Sequence, residues 1–301
     1  LFLHEGTHCF MMALPNRSNN AVWYMEGMAE LFGTHAINEH GTARFRILPA
    51  RREQVEGLGR ILLVEKEARE KGPRTIDDVT SLAPIVTNDA YAWSWALCAF
   101  LDGHPKYRER FRLAGSIVTT GGGAEIDLPR IYKDDWTELS EEWLVFAGNL
   151  CHGYDIERTV LDLAQGKWEP GSKVKVEVAA DRGWQSSGVL VEAGKTYVIS
   201  AEGNFVLAEE PRPWESEPQG ISIRYHAGLP LGMLVAAIRS TRPGSSPPPR
   251  TTMLSVLPIG RERLLRPAVT GTLYLRLNDF WNGLADNSGF VQVTIEEARD
   301  Q

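Results

Sequence analysis

The sequence predicts a multidomain α + β protein, with a mainly helical first half followed by a β-sandwich. Three observations predict it. The hydrophobic pattern changes from helical spacing to short alternating runs near residue 172. The chain has 301 residues, about twice the length of an average domain. The charge is also split: 18 Lys and Arg stand against 25 Asp and Glu up to Gly171, and 14 against 14 thereafter. The net charge of -7 therefore lies wholly in the first half. Neither half is basic enough for a general nucleic-acid binder. No apolar run approaches the roughly 20 residues of a membrane-spanning helix.

The helices are read in order. Leu1–Ala13 is apolar and unbroken, and Pro15–Asn20 is a turn cluster. Asn19 or Asn20 can cap a second helix over Ala21–Ile37. Pro49–Lys71 reads as one long charged helix with Val55, Leu58, Ile61 and Leu62 on one side, ended by Gly72-Pro73. Asp89–Leu101 is apolar and aromatic, and Gly103-His104-Pro105 stops it. Lys106–Ile117 and Glu138–Leu150 complete the helical half, with a loop at Thr120–Gly123. The expected domains are 1–165 and 172–299, with a junction at Gly166–Gly171.

Short strands are expected at Val174–Val178, Gly188–Val191, Thr196–Ser200, Gly220–Arg224, Gly271–Leu277 and Phe290–Ile295. Their spacing suits a sandwich. Arg242–Arg250 reads as a loop within this half. The three cysteines, Cys9, Cys98 and Cys151, match no zinc-knuckle spacing and read as buried small apolar residues.

One motif carries chemistry. His4-Glu5-Gly6-Thr7-His8 is an HExxH sequence. On a helix its two histidines share a face and can share a metal, with Glu5 beside them to take a proton from water at the metal. A catalytic zinc takes three protein ligands and keeps one position open. Trp23-Tyr24-Met25-Glu26-Gly27-Met28-Ala29-Glu30 offers the third in Glu26, 18 positions beyond His8. Glu30, one turn further, can orient a ligand histidine. His35 and His40 read as surface or loop residues.

HExxH followed by W-x-x-E-G-x-A-E resembles the gluzincin zinc metallopeptidases over about residues 1–150. The resemblance implies His4, His8 and Glu26 as zinc ligands and Glu5 as general base. It further implies a hydroxyl or imidazole donor to the oxyanion. Tyr91 fills that role best, with Tyr107 and His104 behind it. The sheet expected before the HExxH helix is not in this sequence, and the chain reads as a fragment or processed form.

The second half is similar to the small calcium-dependent galactose-binding lectins of bacteria, over about residues 172–298. Gly183-Trp184, Val191–Gly194, Tyr197–Gly203, Pro218–Ser222, Gly228–Val235, Gly271–Asp279 and Asp286–Gly289 carry it in order. Independently, Asp279, Asn282, Asp286 and Asn287 gather oxygen donors in one loop, where Trp281 could stack on a sugar. The lectin resemblance implies a jelly-roll-like sandwich. It also implies Ca2+ held by side chains of Asp279, Asp286 and Asn287 and carbonyls of Gly283 and Leu207. Gln219, Asp279 and Asp286 would then touch a galactose-like sugar or glycan. Ser216 stands where those lectins carry a sugar-binding histidine.

The combined expectation is a zinc peptidase acting on a peptide or protein substrate and targeted by a carbohydrate-binding domain. The alternative is a lectin-like protein with an inactive peptidase half. Both readings imply an extracellular or periplasmic location.

Overall fold

The computed structural model describes residues 2–13, 21–38, 40–54, 60–81, 87–119, 126–168, 171–240 and 251–298. The chain divides into two compact units, Leu1–Glu157 and Arg158–Gln301. Among the described residues no helix is long and apolar enough to cross a membrane.

The first unit carries α1 (Phe2–Ala13), α2 (Val22–Gly33), a hairpin of β1 (His35–Ile37) and β2 (Ala43–Phe45), α3 (Arg60–Lys71) and α4 (Ile76–Thr80). It continues through α5 (Asn88–Gly103), α6 (Arg108–Thr119), α7 (Leu128–Ile131) and α8 (Trp136–Asn149). The central element is α5. Apolar residues surround it, so it buries nearly its whole length, including Trp93, Trp95, Leu97 and Phe100. Thr87 caps its start by accepting from the Ala90 amide at 3.3 Å, a contact worth about 1 kcal/mol.

Two neighbours are pinned to α5. From α8, the Trp143 indole donates to the Arg74 carbonyl at 2.7 Å, and its ring meets Trp93 edge to face. On the α3 side, the Trp93 indole donates to Glu67 at 2.7 Å. Arg74 also grips Glu67, and with Trp93 it holds the carboxyl below its ordinary range against the opposing pull of burial.

The second unit has two antiparallel sheets. Its strands are β3 (Lys173–Ala179), β4 (Gln185–Val191), β5 (Tyr197–Glu202), β6 (Phe205–Val206), β7 (Glu215–Ser216) and β8 (Gln219–His226). They continue with β9 (Leu229–Ser240), β10 (Leu257–Pro258), β11 (Glu262–Leu265), β12 (Gly271–Leu277) and β13 (Ser288–Glu297). One sheet runs β10-β9-β12-β4 with β8 on β9; the other runs β11-β5-β13-β6-β7 with β3 on β13. Val291, Val293 and Ile295 alternate inward along β13 and meet Leu273, Leu275 and Leu277 of β12 in one core. Each such side chain contributes about 1.5–3 kcal/mol by leaving water.

β12 is buried on both faces. Its outer row is covered by residues 159–167: the Tyr274 hydroxyl donates to the Asp162 carbonyl at 2.6 Å, and the Gly166 amide donates to Thr272 at 2.9 Å. These bonds tie residues 159–167 to the sheets of the second unit, and the division falls at Glu157/Arg158, ahead of Gly166–Gly171.

Several local expectations are corrected. The second helix ends at Gly33, not Ile37, because His35–Ile37 pairs with Ala43–Phe45. Ala21, without a side-chain cap, stands at its N-cap. The helix expected from Pro49 does not begin there: residues 49–51 are not helical and Arg52–Gln54 is a short turn of 3-10 helix, while Arg60–Lys71 is helical as expected and residues 55–59 lie outside the described residues. Cys9 is exposed because α1 buries no residue, whereas burial raises the Cys98 thiol and pushes Cys151 up to about 12. Asn19, Asn20, Val55, Leu58, the Pro15–Asn20 turn and the loops Thr120–Gly123 and Arg242–Arg250 lie outside the described residues.

Candidate metal centre

Two helices build the site by the same spacing. His4 and His8 are one turn apart on α1, and Glu26 and Glu30 one turn apart on α2. His4 lies by Glu30 and His8 by Glu26, so the helices run antiparallel. Gly27 lets α2 approach α5 closely: a Cβ there would lie 2.5 Å from the Ser94 carbonyl oxygen and 2.6 Å from the Cys98 sulfur.

Three donor atoms converge. His4 Nε2 and His8 Nε2 are 3.1 Å apart, His8 Nε2 and Glu26 Oε2 are 3.1 Å apart, and His4 Nε2 and Glu26 Oε2 are 3.5 Å apart. Ligands about 2.0–2.1 Å from a tetrahedral zinc stand about 3.3 Å from one another. The triangle therefore matches one face of a zinc tetrahedron, and its N, N, O donor set suits that ion. Among the described residues, His4, His8 and Glu26 form the one cluster of His, Cys, Asp or Glu able to hold a metal.

The surroundings fix the ring orientation. His4 Nδ1 lies 3.1 Å from Glu30 Oε1. A carboxylate only accepts, so Nδ1 carries the proton and Nε2 turns its lone pair toward the cluster. Arg60, at the start of α3, donates to both oxygens of Glu30, from Nε at 2.8 Å and from Nη2 at 2.5 Å. Sequence reasoning missed Arg60, because no local spacing links it to Glu30.

Tyr91, in the first turn of α5, stacks edge-on to His4 with ring centroids 6.0 Å apart. Burial, then the charges of Glu26 and Glu30, raise its phenol above the ordinary value, so the hydroxyl keeps its proton. Glu5 is exposed on α1 and adds to the same field at Tyr91. Tyr107 and His104 are not at the cluster. Both are buried around Glu142, which accepts from the Tyr107 hydroxyl. His35 stacks on Phe45 in the β1–β2 hairpin.

A cavity of about 680 Å³ lies against another side of α1, walled by Phe2, Phe10, Met28, Phe32 and Phe111. None of His4, Glu5, His8 or Glu26 lines it.

In the second unit, the structure brings Asp279 and Asn287 together. The Asn287 amide donates to Asp279 Oδ2 at 2.9 Å, and the Phe280 amide donates to Oδ1 at 2.6 Å. Asn287 Oδ1 is buried with no hydrogen-bond partner. Gly283 adjoins Asp279: a Cβ there would lie 3.3 Å from Oδ1. Asp286 is exposed, yet close enough for its charge to raise the Asp279 carboxyl, whose main cause of elevation is burial.

Arg276 sits beneath this loop, 3.9 Å from the Trp281 ring centroid and 5.6 Å from that of Trp184, and donates to the Asp279 carbonyl at 2.6 Å. Leu207 belongs to the core, its amide donating to the Trp214 carbonyl. Gln219 is exposed and engaged by Glu217 and Arg261. Ser216 is buried on β7.

No protein-family model matches the chain, and no curated protein matches it. Among solved structures the chain is similar to the EclA N-terminal domain, a PllA-like lectin. The identity is 21%, with 41% of this chain and 95% of that chain covered and a TM-score of 0.31.

Proposed function

We propose that the helical unit is a zinc-dependent hydrolase of gluzincin type that cleaves peptide bonds. The observation that carries this is the His4–His8–Glu26 triangle with zinc-sized edges, backed by Glu30 on His4. Zinc held there supplies Lewis acidity toward a carbonyl and toward water. Glu5 follows His4 directly on α1, and its carboxylate takes the proton from the attacking water and returns it to the leaving amine. Tyr91 keeps its proton and donates a hydrogen bond to the carbonyl oxygen as that oxygen gains charge. Glu30 and Arg60 move no proton; they hold His4 in one tautomer and one direction.

Metal analysis of protein purified without chelators tests the reading. About one zinc per chain is expected, with loss of both metal and peptide hydrolysis in His8→Ala. A wild-type chain that takes no zinc on addition overturns it.

The Asp279 loop supports a second activity for the other unit, a jelly-roll-like sandwich holding Ca2+ and, through it, a glycan. Asn287 Oδ1 carries this reading, as a buried acceptor without a donor beside a buried carboxylate. A hard cation that takes six to eight oxygens would satisfy both. The lectin-like unit would then hold the peptidase near glycosylated targets, a gain in effective concentration. An exported protein suits that pairing.

The pH dependence has a definite sign. The folded pKa of Asp279 is raised above its ordinary 3.8. The folded state therefore binds more protons, and stability falls as pH rises from the ordinary value through the raised one. At neutral pH in chelator, Asp279→Asn removes the buried charge but turns an amide nitrogen toward one of the two N–H donors that the carboxylate accepts from, so the calcium response is the readout. Calcium should raise the thermal midpoint of the wild type and not of the variant. Calorimetry with no calcium response in the wild type removes the reading.

A further inference from the structure

We infer that Arg60 is the positioning residue of the metal centre, setting the direction of ligand His4 through Glu30 and the seat of Tyr91 through its ring. The inference rests on the zinc reading and deepens it.

The geometry is that of a fork. Arg60 Nε meets Glu30 Oε2 at 2.8 Å, and Nη2 meets Oε1 at 2.5 Å. Two parallel bonds from a planar guanidinium fix the plane of the carboxylate as well as its place. Oε1 is the oxygen that also faces His4 Nδ1, at 3.1 Å. The plane that Arg60 imposes therefore decides where the His4 proton points, and with it the direction of the Nε2 lone pair.

The same guanidinium lies over the Tyr91 ring, 5.2 Å from its centroid. A cation at that distance is attracted to the ring face. One side chain thus orders a metal ligand and the hydroxyl-bearing residue beside it. Among the described residues, Arg60 is the guanidinium paired with Glu30, which in turn faces His4.

α3 is anchored by contacts that do not involve the site. Ile61 and Val64 are buried, and Glu67 takes the Trp93 indole. The fork is therefore presented from a fixed element, as a precise site requires. Lysine cannot replace it. An ammonium is a point charge that can reach one oxygen but cannot fix a plane.

The test is zinc affinity, by competition against a chromophoric chelator, on the full chain. Arg60→Met keeps the length of the stem and removes the fork. It is expected to weaken zinc binding about tenfold, the low end of the effect of removing an outer partner of a ligand histidine. Arg60→Lys should fall between Arg60→Met and wild type. In a Glu30→Gln background Arg60→Met should add little further loss, because the two act through one contact.

Wild-type affinity in a folded Arg60→Met overturns the inference and leaves the zinc site standing. So do additive losses in the double variant. Absence of zinc from the wild type overturns the metal reading and this inference with it. If Arg60→Met does not fold, Arg60→Lys decides alone: wild-type affinity overturns the proposal and a partial loss upholds it.

Discussion

Glu5→Gln is expected to lower peptide hydrolysis by about 10²–10⁴-fold while zinc stays bound. The atoms proposed to hold the zinc are His4 Nε2, His8 Nε2 and Glu26 Oε2, and Glu5 is none of them. Glutamine keeps the size of the side chain but cannot accept the proton that the attacking water must lose. Water and leaving amine then have no shuttle, and both halves of the reaction slow. Glu5 is exposed on α1, so the change leaves the packing of the unit intact. The measurement is kcat/KM beside metal content on the same preparation. Retained hydrolysis in the zinc-loaded variant would show that Glu5 is not the base.

The second large effect is on the fold. Gly27→Ala is expected to destabilise the helical unit by about 3 kcal/mol, the upper range for overpacking, and to weaken zinc binding with it. The added carbon would press on the Ser94 backbone, which cannot turn aside as a flexible side chain can. α2 must lift from α5, and Glu26 is the adjacent residue. Gly6→Ala on α1 provides the contrast, since a Cβ there meets nothing within 4 Å. It should gain about 0.5–1 kcal/mol from helix propensity. Denaturant midpoints of the two variants check both signs; a harmless Gly27→Ala would show that the α2–α5 approach has slack.

The convergence of His4, His8 and Glu26 was legible because these residues obey a local rule. His4 with His8, and Glu26 with Glu30, each stand one turn apart, and a helix places such pairs on one face. Arg60 was not legible. It stands 30 positions from Glu30, and that contact exists only once α3 has packed on α5.

The helical overrun past Gly33 has a similar cause. His35-Ala36-Ile37 continues an apolar pattern, but its pairing depends on a turn that closes later. There Asn38 Oδ1 accepts from the amides of His40 and Thr42, and Gly41 takes a positive φ of 76°. In the second unit, no strand was read from the sequence over the twelve-residue β9, which contains Pro230 and Gly232. The strand absorbs both, with Gly232 at φ 79° and a register shift in its pairing with β8.

The helix that carries two of the three donors buries none of its residues. A cation gripped by α1 and α2 together would act as a cross-link between them, and its binding energy would appear as order in α1. Chelation would then do more than empty a site. It would free the amide hydrogens of α1 to exchange with solvent and open the segment to proteolysis, so that metal supply would set the lifetime of the chain as well as its chemistry.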